Sequence, residues 1–193
     1  MSASTPVVAG DRAELEISGL STGGDGVGRL ADGCVIFVPG TAPRDRVAVR
    51  IVSRKKRFAR GVVEELLVAS ESRVEPRCPY IERCGGCQWQ HVSYDEQLRQ
   101  KQGLVAHRVE RLGASIEPII PSPDTYGYRC RVRLRFEASD AGVRLGFRGA
   151  RSHELVEIER CAIAHERINE ALAALVAWLA PLRGGGELEL LSN

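Results

Sequence analysis

Cys78, Cys84 and Cys87 fall within one short stretch, Cys78-Pro-Tyr-Ile-Glu-Arg-Cys84-Gly-Gly-Cys87, and Cys161 stands alone far downstream. Gly85 and Gly86 let the backbone curl so that neighbouring sulfurs can converge on one centre. Four thiolates with one distant member can hold a tetrahedral zinc ion or an iron–sulfur cluster. Zinc usually takes its ligands as two close pairs, so the trio-plus-one spacing suits a cubane cluster better, with zinc as the alternative. Of the other two cysteines, Cys34 follows Gly33 at the head of a strand and Cys130 lies on an apolar strand face. Both read as small buried hydrophobes. None of His91, His107, His153 and His165 pairs with another at metal-ligand spacing. The sequence offers no Ser/His/Asp or Cys/His nucleophile set. It also offers no glycine-rich strand-to-helix turn for a nucleotide or S-adenosylmethionine, and no catalytic residue is assigned.

A chain of 193 residues suffices for one medium domain or two small ones. It has no apolar run long enough to span a bilayer and no signal-peptide pattern, which points to the cytoplasm and away from a membrane. Thiols stay reduced there, so six cysteines favour a metal site over a disulfide framework. The net charge of +2 says little, but its distribution says more: Arg44, Arg46, Arg50, Arg54, Lys55, Lys56, Arg57 and Arg60 crowd one stretch whose only acid is Asp45. A local basic stripe on a near-neutral chain suggests a polyanionic partner, although a solvated strand face would look the same.

These residues need elements to position them. Residues 1–10 read as a disordered leader. Strand-like runs follow at 13–17, 35–38, 47–52 and 61–67, separated by Gly23-Gly24-Asp25-Gly26, Asp32-Gly33 and Pro39-Gly40. Short strands joined by glycine-rich turns predict a small β-barrel over 11–69. Val35, Phe37, Val47, Val49 and Ile51 alternate as an inward face requires. The glycines from Gly23 to Gly28 read as hairpin turns, because no helix follows them. The cysteine segment spans 70–92. Ser93 and Glu96 have the spacing of a capping box, predicting a helix from there to Leu112 that stops at Gly113, with Leu98, Val105, Val109 and Leu112 as its apolar stripe.

Pro118, Pro121 and Pro123 mark a linker. From Tyr128 a second β region begins, in which Arg129, Arg131, Arg133 and Arg135 alternate with Cys130, Val132, Leu134 and Phe136. Those arginines either grip phosphates or pair across the sheet with Glu157 and Glu159, and the nearby acids favour pairing. A helix is expected from Ala164 to about Leu182, broken by Gly184-Gly185-Gly186, and 187–191 reads as a strand just starting. The fold class is therefore mainly β with helices: a barrel, a cysteine segment, then an incomplete α+β region over 114–193.

Two motifs carry a family resemblance. Leu20-Ser21-Thr22-Gly23-Gly24-Asp25-Gly26-Val27-Gly28-Arg29, with Val35-Ile36-Phe37-Val38-Pro39-Gly40, resembles a TRAM domain, a small OB-like RNA-binding barrel. Cys84-Gly85-Gly86-Cys87-Gln88-Trp89-Gln90-His91, with Tyr94 and Gln97-Leu98 through Lys101, resembles the cluster motif of bacterial 23S ribosomal RNA uracil-C5 methyltransferases. Tyr128-Arg129, Gly146-Phe147-Arg148 and Ile158-Glu159-Arg160-Cys161 are similar to that family's central domain.

The resemblance implies a [4Fe-4S] cluster on Cys78, Cys84, Cys87 and Cys161, organising an RNA-binding fold rather than passing electrons. It implies RNA as partner, 23S ribosomal RNA first, bound by the basic stripe. The implied reaction flips out a uridine, adds a cysteine thiolate to C6 and moves a methyl group from S-adenosyl-L-methionine to C5. In the family the nucleophile and cofactor loop lie in a C-terminal catalytic domain, which is expected to be missing here, and the stripe Leu98, Val105, Val109 and Leu112 would pack on it. The chain alone is then expected to bind RNA without methylating it. The alternative is a stand-alone RNA-binding adaptor, with zinc or an iron–sulfur site, that recruits a separate methyltransferase. A ferredoxin-type electron carrier fits a basic barrel less well.

Overall fold

The structure, a computed structural model, describes residues 7–193. Five strands close into a barrel: β1 (Arg12–Leu20), β2 (Gly26–Arg29), β3 (Val35–Val38), β4 (Arg46–Arg54) and β5 (Phe58–Val68), in the order β1-β2-β3-β5-β4. All pairings are antiparallel except β3 with β5. The core is aliphatic, built from Leu15, Ile17, Leu30, Ile36, Val38, Val47, Val49, Ile51 and Ala59. Alternation along each strand sends these side chains inward and their neighbours out. Within β3 the inward pair is Ile36 and Val38, so Val35 and Phe37, expected inside, face outward.

The expected turn at the glycines is in part a strand, β2. At Gly28 a Cβ would lie 2.2 Å from Leu15 Cδ1 and 3.0 Å from the Glu16 carbonyl oxygen. The missing side chain is what lets β2 close the barrel against β1. Of the expected leader, residues 1–6 lie outside the described residues. Residues 7–10 are tied to the barrel instead of loose: the Gly10 amide donates to the Ile51 carbonyl at 2.8 Å and Arg54 donates to the Val7 carbonyl at 3.0 Å.

Helix α1 (Tyr94–Val109) runs into a 3-10 turn, Glu110–Leu112, and ends at Gly113 with φ 67°. The start and stop match expectation, but the capping box does not form: the Ser93 side chain caps no amide. Glu96 is buried instead and faces Arg99, Gln100 and Arg44. Along the expected apolar stripe, Val105 and Leu112 remain exposed. Among the described residues no helix is long and apolar enough to cross a membrane.

The second sheet has the order β8-β7-β6-β9, from β6 (Arg131–Ser139), β7 (Gly142–Arg148), β8 (Leu155–Glu157) and β9 (Gly184–Leu191). Helix α2 (Glu166–Leu179) lays Ile168, Leu172 and Leu179 into a core with Val132, Leu134, Leu145 and Val156. The triple glycine does not merely break α2. It opens β9, which pairs with β6 from Ala138–Gly184 to Arg131–Leu191. A Cβ on Gly186 would meet the Phe136 ring at 2.7 Å, so the glycines leave room for that ring.

The chain divides into two compact units. One comprises residues up to Glu75 with Gln88–Ile120; the other comprises Pro76–Cys87 with Pro121–Asn193.

Candidate nucleic-acid interface and cysteine site

The eight basic residues of the stripe separate by partner. Arg44 Nη2 lies 3.5 Å from Glu96, Arg50 Nε 3.1 Å from Glu64, Arg54 Nη2 2.7 Å from Asp32 and Arg60 Nη1 3.3 Å from Asp25. Arg46, Lys55, Lys56 and Arg57 are exposed, and no ion pair among the described residues engages them. The last three form the β4–β5 hairpin, closed by the Lys55 amide donating to the Phe58 carbonyl at 2.7 Å.

Asp45, the stripe's one acid, contributes nothing to the surface field. It is fully buried and accepts from the Ala42 and Ser70 amides at 2.6 and 2.9 Å and from Arg73 Nε and Nη2. His91 sits beside this pair, its Nε2 3.1 Å from the Thr41 carbonyl oxygen. Burial pushes its imidazole below the ordinary value; the Thr41 contact opposes this, Arg73 reinforces it and Asp45 opposes it.

Glu96 gains a different balance. Burial pushes its carboxyl up, but hydrogen bonds from Arg99 and Gln100 and the charges of Arg99 and Arg44 outweigh that, and the net shift is downward. Gln100 also uses Oε1 to accept the Leu20 amide at 3.0 Å, fastening α1 to the end of β1.

Outside the expected stripe the barrel carries an aromatic pair. The Phe37 and Phe58 rings meet edge to face at 5.8 Å, and the Arg60 guanidinium lies 5.9 Å from the Phe37 centroid. The strand alternation could have revealed this, had Ile36 rather than Phe37 been taken as the inward residue.

The cysteine segment 76–87 belongs to the second unit. It coils through successive turns: the Ile81 amide donates to the Cys78 carbonyl, and the Arg83 and Cys84 amides both donate to Tyr80. It is anchored on the β7–β8 connection. The Gly85 amide donates to the Arg148 carbonyl at 3.0 Å, and the Ala150 amide to the Arg83 carbonyl at 2.8 Å. A Cβ on Gly85 would stand 3.1 Å from both the Arg148 and Gly149 carbonyl oxygens, so a small residue is needed there. The Glu159 amide donates to the Tyr80 hydroxyl at 3.1 Å, and Asn169 of α2 brackets Cys161, accepting its amide at 2.8 Å and donating to its carbonyl at 3.2 Å.

Cys78, Cys84, Cys87 and Cys161 thus share one neighbourhood. Burial pushes the Cys84 thiol up; the Gly86 amide opposes this at 3.4 Å from Sγ, and the charges of Cys87, Cys78 and Cys161 each push further up. No disulfide joins any of the six cysteines. Among the described residues no three His, Cys, Asp or Glu side chains converge closely enough to grip a single metal ion. Cys34, expected to be buried, packs against the barrel core but is only partly buried, and Cys130, also expected to be buried, is exposed just before β6. The β6 arginines do pair across the sheet, although with other acids than expected: Arg131 and Arg133 face Glu189 on β9, while Glu157 takes Arg144.

The fold defines the first unit's barrel as an OB-like TRAM barrel, and the TRAM domain family matches residues 6–63. Most of the chain is similar to RNA methyltransferases. It is 39% identical over 173 residues to an uncharacterized RNA methyltransferase of Bdellovibrio bacteriovorus, covering 88% of this chain and 43% of that one. A counterpart in Thermosynechococcus vestitus is 40% identical over 87% of this chain and 38% of its own. The crystal structure of Pyrococcus abyssi tRNA (uracil-54, C5)-methyltransferase, in complex with S-adenosyl-L-homocysteine, superposes with a TM-score of 0.58 at 31% identity, over 86% of this chain and 36% of that one. The chain therefore spans about two fifths of the length of the curated relatives it matches.

Proposed function

We propose that this chain is the RNA-binding, [4Fe-4S]-carrying part of an S-adenosyl-L-methionine-dependent RNA uracil-C5 methyltransferase acting in the cytoplasm, with 23S ribosomal RNA as substrate. The observation that carries the reading is a TRAM barrel with an unneutralised basic hairpin, in a chain similar to RNA methyltransferases over most of its length. The barrel's task is to hold RNA. Lys55, Lys56, Arg57 and Arg46 lie open to phosphates, whereas Arg50, Arg54 and Arg60 are already paired with Glu64, Asp32 and Asp25. Methyl transfer to uridine C5 is the activity proposed for the whole protein, and S-adenosyl-L-methionine is proposed as its methyl donor.

Cys78, Cys84, Cys87 and Cys161 would hold the cluster. Their chemistry fits it: Cys78, Cys84 and Cys87 lie on one loop, and the charges of Cys87, Cys78 and Cys161 all act on the Cys84 thiol. A cubane places each thiolate on a different iron, which spreads the ligands wider than a zinc ion does. Bound there, the cluster would supply metal–thiolate bonds that fasten the 76–87 loop to Cys161.

The test is the salt dependence of binding, with 23S ribosomal RNA fragments and transfer RNA in competition. Affinity should fall steeply with salt, and 23S fragments should compete better. Preference for transfer RNA would reject the proposed substrate. Absence of salt-dependent binding would reject the RNA-binding reading.

A further inference from the structure

The outer surface of the barrel is not uniform. Toward β1 and the far half of β5 it carries Glu14, Glu16, Glu64 and Glu65, with Arg12 and Arg50 spent on the last two. That side is neutral to acidic. The opposite side is built by β2, β3 and β5, whose register sets Val27 beside Phe37 beside Arg60 and, one row on, Arg29 beside Val35 beside Phe58. The inward residues of the same strands, Gly28, Ile36 and Ala59, fill the core, so these six must point out. Both rings are half-buried, and neither joins the barrel core.

Cations surround the rings. Arg60 stands over Phe37, Arg29 donates to the Gly33 carbonyl at the rim, and the Lys55–Arg57 hairpin leads directly into Phe58. The two acids nearby are committed: Asp25 to Arg60, and Asp32 to Arg54 and the Cys34 amide. An aromatic pair with a guanidinium over one ring and a cationic hairpin next in sequence to the other matches one partner chemistry, a flexible polyanion that also offers flat rings. Unpaired RNA has both; in a duplex the ring faces are stacked away.

We infer that the outer face of β2, β3 and β5 is a stacking platform for unpaired RNA bases, with Phe37 and Phe58 as the ring anchors and Arg29 and the Lys55–Arg57 hairpin holding the flanking phosphates. This rests on the RNA-binding reading above and names the form of RNA and the mode of contact. Stacking supplies affinity with little sequence preference, because every base has a π-face.

The experiment measures fluorescence anisotropy of the 193-residue chain, purified without oxygen, on labelled single-stranded RNA and on a duplex of equal length. A 2-aminopurine in the single strand should be quenched on binding as its base stacks. The F37L/F58L double variant should lose about ten- to a hundredfold in single-strand affinity, with duplex binding unchanged. Its slope of log affinity against log salt should match the parent. K55E/K56E should flatten that slope, and F37Y/F58Y should bind like the parent.

Undiminished single-strand binding by F37L/F58L, or equal loss on the duplex, overturns the platform while leaving RNA binding intact. Should the leucine variant not fold, the parent's 2-aminopurine signal and the tyrosine variant decide. Unquenched 2-aminopurine rejects stacking. A parent that binds neither RNA removes the RNA-binding reading and the platform with it.

Discussion

Asp45 shows how a residue's surroundings reverse its apparent role. In the sequence it dilutes a basic stripe, whereas in the fold it is fully buried and holds Ala42, Ser70 and Arg73. Removing one partner of a buried ion pair strands the other, so Asp45→Ala should cost roughly 3–5 kcal/mol in urea unfolding of the barrel unit. A loss well under 1 kcal/mol would mean the network is not a support. Gly146 makes the same point by packing. A Cβ there would stand 1.9 Å from the Val156 carbonyl oxygen, which is backbone and cannot swing aside. Gly146→Ala should push β8 off β7 and cost about 1–3 kcal/mol by thermal or chemical melting, while Gly33→Ala, in open space, costs only what its φ of 81° imposes.

At the scale of elements, α1 is held by a polar anchor rather than an apolar stripe. Glu96 is its one buried residue, and the sequence signal that marked it as a cap partner was a real signal for a helix start with a different physical use. The anchor makes the barrel unit acid-sensitive. His91 has a lowered folded pKa, so as pH falls below the ordinary imidazole value the unfolded chain takes up a proton that the folded one does not, and stability drops. Glu96 is also lowered: its contribution is complete above the ordinary carboxylate value and is lost as pH falls through the folded one. Urea midpoints against pH should therefore fall in two stages. Glu96→Gln should shrink the lower stage, to which Asp32 also contributes, and leave the upper, and a curve unchanged by Glu96→Gln would show that α1 is held otherwise.

For the whole molecule, the proposed cluster is the feature with the broadest consequence. Anaerobically purified protein should show a broad visible absorption with bound iron and sulfide, and Cys84→Ser or Cys161→Ser should abolish it, whereas Cys130→Ser should not. Colourless protein with one bound zinc would replace iron by the alternative metal. The sites differ in their expected response to salt. Barrel–RNA affinity should fall linearly with log salt as phosphate counterions are exchanged, while the visible absorption should be indifferent to salt.

Much of the frame was legible in the sequence because it rests on short-range chemistry. Alternating apolar residues and glycine turns gave the barrel, Gly113 gave the helix stop, and the tight Cys78–Cys87 spacing marked the loop. What sequence could not settle were choices made by distant partners. Phe37 or Ile36 could each have been the inward residue, and barrel closure of β3 on β5 chose Ile36. The β6 arginines met Glu189 because β9 pairs beside them, although Glu157 and Glu159 are nearer in the chain. Cys130 alternates like a core residue, yet it lies just before β6 begins and is exposed. Local spacing determines which residues can face one way together; only long-range packing decides which way that is, and so which cations and rings are left for a partner.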